Sequence, residues 1–200
     1  MCTLTESRRI FPVKAGSLVL LAFFFWAGMV RADAAADEAV WKRIAQGGVA
    51  VMIRHARTEP GLGDPPNFRI GDCTTQRNLS AEGRAQAKRL GAAFAARGIT
   101  PTAVLSSQWC RCIDTAREAF GRNIEEPALN SFFDGRSTEP AQSAAVRARI
   151  AALKRGEVLV LVTHQVNMTA LAGAYPAEGE VFVLAPSGTS VALVGRFSTP

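Results

Sequence analysis

The chain is poor in the residues that hold metals. Its 200 residues include two histidines and four cysteines. The histidines stand in unrelated contexts and no paired CxxC motif is present, so the ligand spacing of a structural zinc site is missing. No carboxylate cluster offers a site for a hard cation either. Internal repeats and low-complexity tracts are also lacking, which excludes a repeat array. Excess positive charge is scarcer than the totals suggest. The chain has 23 Lys and Arg against 17 Asp and Glu, a net charge of +6. Arg8, Arg9, Lys14, Arg31 and Glu6 all fall in the first 32 residues, and without them 19 basic residues face 16 acidic ones, a net +3. That is a weak basis for a nucleic-acid partner, and none is expected.

Those first residues read as a targeting segment. Arg8, Arg9 and Lys14 form a basic front, and an apolar run from Ala15 to Val30 follows, broken only by Gly16, Ser17 and Gly28. This is the pattern of an n-region and an h-region. Val30-Arg31-Ala32 puts small or apolar residues where a signal peptidase inspects them, which predicts cleavage before Asp33, with Ala34 and Ala36 as later alternatives. Ser7 to Phe11 resembles a twin-arginine signal, but a core with Phe23, Phe24, Phe25 and Trp26 is greasier than such signals usually are and favours Sec export. An uncleaved membrane anchor is the competing reading, because the run is only slightly shorter than the ~20 residues of a span. The expectation is a signal peptide over residues 1–32, a periplasmic protein without stable membrane insertion after cleavage, and one domain over 33–200, long enough for a real core. Cys73, Cys110 and Cys112 remain in that domain. Export permits one bridge, from Cys73 to Cys110 or to Cys112, leaving one thiol.

Within the domain, helical and strand patterns alternate. Asp37 to Gln46 reads as a short helix stopped by Gly47-Gly48, and Val49 to Ile53 as a buried, parallel-type strand. Thr58 to Asn78, rich in Gly, Pro, Asp and Asn, is a long loop of the kind that is often functional. Ser80 caps a helix to about Arg97, ended by Gly98. A strand at Ala103 to Leu105, a helix from Trp109 to Phe120 and a helix from Ala141 to Leu153 follow. Val158 to Val162 is the most apolar strand. A short helix near Asn167 to Leu171 and a closing hairpin of Val181 to Leu184 and Ser190 to Val194 complete the chain. This predicts an α/β three-layer sandwich with a mostly parallel central sheet, and ligands in such folds sit at the carboxyl ends of the strands.

Both histidines fall at such ends. The first apolar strand runs into Arg54-His55-Ala56-Arg57-Thr58 and the last long one into Thr163-His164-Gln165. The middle strand is followed by Ser106-Ser107-Gln108-Trp109-Cys110-Arg111. Two histidines and two arginines around one crevice form a trap for a phosphate dianion, because the guanidinium fork matches phosphate oxygens. A lone histidine at a strand end is more often structural; two in matched places beside two arginines point to catalysis. Trp109 reads as core packing, and Arg84, Lys88, Arg89 and Arg97 as a solvated basic helix face.

The strand-Arg54-His55 opening, Asn78-Leu79-Ser80-Ala81-Glu82-Gly83 with Gln86-Ala87, Leu105-Ser106-Ser107 to Arg111 with Thr115-Ala116, and the strand ending in Thr163-His164 resemble the histidine phosphatase superfamily, the phosphoglycerate-mutase-like group. The resemblance spans nearly all of residues 49–171. It implies that His55 is the nucleophile and becomes phosphorylated. It also implies that Arg54, Arg111 and His164 hold the phosphoryl oxygens, and that no metal or other cofactor is required. Arg57, Thr58 and Asn167 are weaker candidates for phosphate binding. The chain departs from the family pattern at Ala56, where glycine is usual, a change expected to narrow the pocket floor. It departs again at Ser131, where the glutamate that protonates the leaving group would stand. Asp134 is the nearest substitute and Glu59 the runner-up. The ending Thr163-His164-Gln165-Val166-Asn167 and the leader resemble the small periplasmic members grouped with a lipopolysaccharide core heptose-phosphate phosphatase. The expectation is therefore a phosphomonoesterase acting on a phosphorylated small molecule or envelope glycan. The alternative is a non-catalytic phosphate-binding relative that has lost its acid.

Overall fold

The computed structural model describes residues 36–61 and 63–199. The leader expected over residues 1–32 and its cleavage site lie outside the described residues. A helix over residues 36–45 (α1) leads into β1 (Val49–Arg54) through Gly47 and Gly48, both at positive φ. Gly47 is required there: a Cβ would lie 2.4 Å from the Gly156 Cα. The remaining elements are α2 (Ala81–Ala96), β2 (Ala103–Ser106), α3 (Cys110–Phe120), β3 (Ile124–Glu125), α4 (Glu139–Ala151), β4 (Val158–Thr163), α5 (Gln165–Ala172), β5 (Val181–Ser187) and β6 (Ser190–Phe197).

The sheet order is β3-β2-β4-β1-β5-β6. The first four strands run parallel, and β5 and β6 close the sheet antiparallel. This is the three-layer sandwich with a mostly parallel centre that the alternating pattern predicts. The edge strand β3 escapes sequence reading, because two exposed residues carry no pattern.

Strand periodicity divides the core in two. Successive side chains of a strand point to opposite faces. Val49, Val51 and Ile53 of β1 with Val158, Val160 and Val162 of β4 therefore pack under Trp41, Leu90, Phe94 and Ala116. Ala50 and Met52 with Leu159 and Leu161 pack under Val146, Ile150, Met168 and Leu171 on the other face. Continuous apolar runs are needed where both faces are covered, and each fully buried Val, Leu or Ile contributes roughly 1.5–3 kcal/mol. The helix face with Arg84, Lys88, Arg89 and Arg97 is paired, not merely solvated. Arg84 binds Asp114 and Glu118 of α3, Lys88 binds Glu118, Arg89 binds Glu82 and Arg97 reaches Glu38.

The start of α2 is built against the backbone that follows β1. Ser80 caps it, its Oγ accepting the Gly83 N–H at 3.0 Å. Gly83 lies so close to Arg57 that a Cβ would stand 1.8 Å from the Arg57 carbonyl oxygen. Gln86 then accepts the Arg57 N–H and donates to the Glu178 carbonyl, tying two loops together. A methyl group at position 83 must displace one of these backbones. Gly83→Ala is expected to lower stability by about 1–3 kcal/mol, read from the urea midpoint; an unchanged midpoint would show that the loop after His55 gives way freely.

Candidate active site

Parallel pairing of β1 with β4 sets Arg54 opposite Thr163. The His55 N–H donates to the Thr163 carbonyl at 2.9 Å. The next residues on the two strands are thus neighbours, and the His55 and His164 rings stand 5.6 Å apart. They line one cavity of about 130 Å³ with Arg54, Arg111, Arg77, Asp64, Phe133, Asp134, Gln165, Val166 and Tyr175.

Hydrogen bonding fixes both tautomers. His55 Nδ1 lies 2.9 Å from the Ala56 carbonyl, which can only accept, so Nδ1 carries the hydrogen and Nε2 the lone pair. His164 Nδ1 faces Arg111 Nη2 at 3.4 Å. A guanidinium can only donate, so the hydrogen of His164 is on Nε2, which donates to Ser107 Oγ at 2.8 Å. Ser107 passes its own hydrogen to Asn130 Oδ1. Burial holds both imidazoles well below their usual pKa, and the charges of Arg111, Arg54 and Arg77 push them further down. Both rings are neutral near pH 7, the state in which an imidazole is a nucleophile.

The cavity has three guanidiniums, one more than the sequence discloses. Arg77 precedes the Asn78-Leu79-Ser80 motif and closes the long loop; its Nη1 binds Thr58 Oγ1 at 2.7 Å and the Gly61 carbonyl. Arg54 Nη1 donates to the Pro176 carbonyl, and both Arg54 and Arg77 approach Glu178, at 3.8 and 4.0 Å. Arg111 is paired with Asp64. The Nε–H groups of Arg54, Arg77 and Arg111 are all buried and meet no acceptor within the protein. Buried donors in native proteins are nearly always satisfied, so three such groups around one cavity fit a ligand rich in acceptor oxygens.

Several expected residues are placed elsewhere. Arg57 points outward and pairs with Glu82, its side chain 59% exposed. Its carbonyl is pressed against α2, which turns the residue away from the cavity. Thr58 donates to Glu178 and accepts from Arg77, so it supports one lining group, Arg77, without lining the cavity itself. Asn167 is buried within α5, and its amide donates to the Asn130 carbonyl. None of these three is among the cavity-lining side chains. Ala56 does not narrow the floor: its methyl packs with Leu79 and Ala87 in a small separate core, and its N–H donates to Thr115. Ser131 accepts the Phe133 N–H and lies outside the cavity. Of the two carboxylates considered as the acid, Asp134 lines the cavity, whereas Glu59 lies in a neighbouring depression with Thr58, Pro60 and Glu178. Trp109 is buried as expected, but its Nε1–H also reaches Asp64 at 3.0 Å. The disulfide joins Cys73 to Cys110, and Cys112 is the buried thiol, pushed by burial to a pKa of about 12 and therefore unreactive.

Comparison with known proteins follows the same lines. Residues 50–132 match the model of the histidine phosphatase superfamily (branch 1). That segment is similar to this superfamily in sequence, and the fold is similar to that of its solved members. Compared with curated proteins, the sequence has no match. Among solved structures, the protein histidine phosphatase SixA complexed with tungstate aligns with a TM-score of 0.55 at 13% identity, over 76% of this chain and 97% of that one. A mutant phosphoserine phosphatase from Entamoeba histolytica in complex with phosphoserine gives 0.54 at 12%, over 76% and 97%. Bacillus stearothermophilus YhfR gives 0.52 at 18%, over 74% and 95%. Among the described residues no helix is long and apolar enough to cross a membrane.

The depressed histidines make stability depend on pH with a definite sign. In the unfolded chain both take up protons as pH falls below about 6.5, while the folded forms stay neutral. Stability present above that pH is therefore lost as pH falls below about 6.5, by about 1.4 kcal/mol per pH unit for each histidine. Urea unfolding across this window is expected to show that slope, roughly halved in His55→Asn.

Proposed function

We propose that this chain is an exported, metal-independent phosphomonoesterase that works through a phosphohistidine at His55. The observation that carries this reading is the pair of buried neutral histidines in one cavity with three guanidiniums whose Nε–H groups lack acceptors. His55 Nε2 attacks phosphorus, forming the N–P bond as the ester P–O bond breaks. Arg54, Arg77 and Arg111 hold the equatorial oxygens and meet the charge that develops on them. His164 lies beside Arg111 to complete the cradle. The departing alkoxide takes a proton from Asp134. Water then attacks the phosphohistidine, giving its proton to the Asp134 carboxylate and releasing orthophosphate with His55 restored. The guanidiniums supply the positive charge that a metal would otherwise bring. Phosphatases among the structures of the same fold support turnover over mere phosphate binding.

The cavity takes a phosphoryl group, and the alcohol emerges past Phe133 and Tyr175, which are 61% and 64% exposed. A phosphorylated small molecule or an envelope glycan fits that opening. Export is supported by the basic front and apolar run before Asp33 and by the Cys73–Cys110 bridge, a bond that persists in oxidising compartments.

Purified protein is expected to hydrolyse para-nitrophenyl phosphate with chelator present, and His55→Ala is expected to abolish the activity. Phosphate binding without turnover of this activated ester would sink the enzyme reading and leave a binding module. Asp134→Asn tests the acid separately. Its loss is expected to slow alkyl phosphates by about 10²-fold or more, in the range for general acid catalysis, while sparing the nitrophenyl ester, whose leaving group needs no proton. Equal losses on both esters would remove Asp134 from that role.

A further inference from the structure

Asp64 is the most tightly bound acidic side chain in the cavity, and no step above uses it. It comes from the long loop between β1 and α2. Its Oδ1 and Oδ2 accept from Arg111 Nη1 at 2.8 and 3.0 Å, Oδ1 accepts the Arg77 N–H at 2.9 Å, and Oδ2 accepts the Trp109 Nε1–H at 3.0 Å. The side chain is 9% exposed and that of Arg111 6%. Burial alone would push the Asp64 carboxyl up, but hydrogen bonds from Arg111, Arg77 and Trp109 together with the Arg111 charge hold it below its usual value. It is an anion at neutral pH and no proton donor.

An anion on a phosphate-binding arginine has two possible meanings. It can occupy the place that phosphate must take, or it can hold the arginine so that its other edge faces the ligand. The contacts favour the second. Asp64 engages only Nη1, while Nη2 of the same guanidinium is turned toward His164 and Nε–H has no acceptor. Asp64 is itself fixed by two donors that do not belong to Arg111. The loop that carries it is anchored to α3, the helix of Arg111, at more than this one point. Cys73 is bonded to Cys110, and Gln76 accepts the Cys110 N–H while donating to the Arg69 carbonyl. A carboxylate held on three sides, in a loop stapled to the helix it serves, is a fixture.

We propose that Asp64 is the positioning residue for Arg111, orienting the guanidinium so that Nε and Nη2 are presented to the phosphoryl oxygens. The inference rests on the phosphatase reading of the cavity, and binding of inorganic phosphate separates the two. Misplacing a catalytic group by about 1 Å costs on the order of 10²-fold. Asp64→Ala is therefore expected to lower kcat for para-nitrophenyl phosphate by about that factor and to weaken inorganic phosphate binding at least tenfold, although a negative charge has left the cavity. Added formate, small enough to enter the space left by the carboxylate, is expected to restore part of both. Tighter phosphate binding and inhibition by formate would overturn the proposal, because Asp64 would then be a competing anion. Unchanged kcat and phosphate affinity in a protein of lowered melting temperature would overturn it too, leaving Asp64 a purely structural residue. If Asp64→Ala does not fold, Asp64→Asn decides by the same two measurements. Its amide keeps the shape and one acceptor oxygen, and a smaller loss in the same direction is expected. Failure of the wild-type protein itself to bind phosphate would count against the phosphatase reading instead.

Discussion

Parallel pairing of β1 with β4, in a register that sets Arg54 opposite Thr163, is the constraint on which the site depends. The period of a strand is two, so a slip of one residue would turn every side chain of β1 to the other face. Both faces are buried, and the two cores take different residues: Val49, Val51 and Ile53 on one side, Ala50 and Met52 on the other. A slip would force Met52 into the space of a β-branched residue and would separate His55 from His164. The hydrophobic pattern of two strands thus sets the spacing of two imidazoles, although no apolar residue of either strand takes part in the chemistry.

Collecting three arginines in a small cavity is costly unless the charge is answered. Each has been given a carboxylate at its outer edge: Asp64 for Arg111, and Glu178 for Arg54 and Arg77. The carboxylates use Nη atoms, whereas each Nε–H stays without an acceptor. Buried pairs of this kind add little net stability; here they keep the guanidiniums aimed. Asp64 and Glu178 stand in the two loops that flank the strand ends, and the Gln86 side chain joins the second of these loops to the backbone after His55. The histidines answer the positive charge differently, by remaining unprotonated.

What could be read from the sequence was what local pattern carries. Val49 to Ile53 and Val158 to Val162 announce buried strands, and the residues just beyond them, Arg54, His55, His164 and, after β2, Arg111, announce the site. The failures have a common cause. Arg57 and Thr58 follow His55 closely, but sequence proximity says nothing of direction, and the approach of Gly83 turns Arg57 to solvent. Asn167 occupies a position from which a donor could reach a ligand, yet it is spent on the Asn130 carbonyl. Asp64 and Arg77 belong to a loop without periodicity, so no pattern could bring them forward. The clue available was a physical requirement: a buried arginine such as Arg111 needs an anion, and the nearest long loop is where one would be sought. The cysteines could be narrowed to two pairings; the choice of Cys110 over Cys112 turns on α3, where Cys112 packs in the core against β4.

The deep and outer parts of the site answer to different constraints. In the deep part His55, His164 and Arg111 are buried, Arg54 and Arg77 are half-buried, and each of the three arginines is paired with a carboxylate. Toward the opening the wall is thin: Phe133 and Asp134 on the segment before α4, and Tyr175 after α5, are exposed and lie outside regular helices and strands. Substitutions there disturb no core and no charge pair of the three arginines, whereas almost any change around Arg111 disturbs both. Ser131 is turned out of the cavity, so a glutamate there would have to be re-aimed by moving the backbone, while Asp134 already lines the cavity. On the proposed reading, supply of the acid from Asp134 at the rim needs no change in the sheet, the histidines or the arginines.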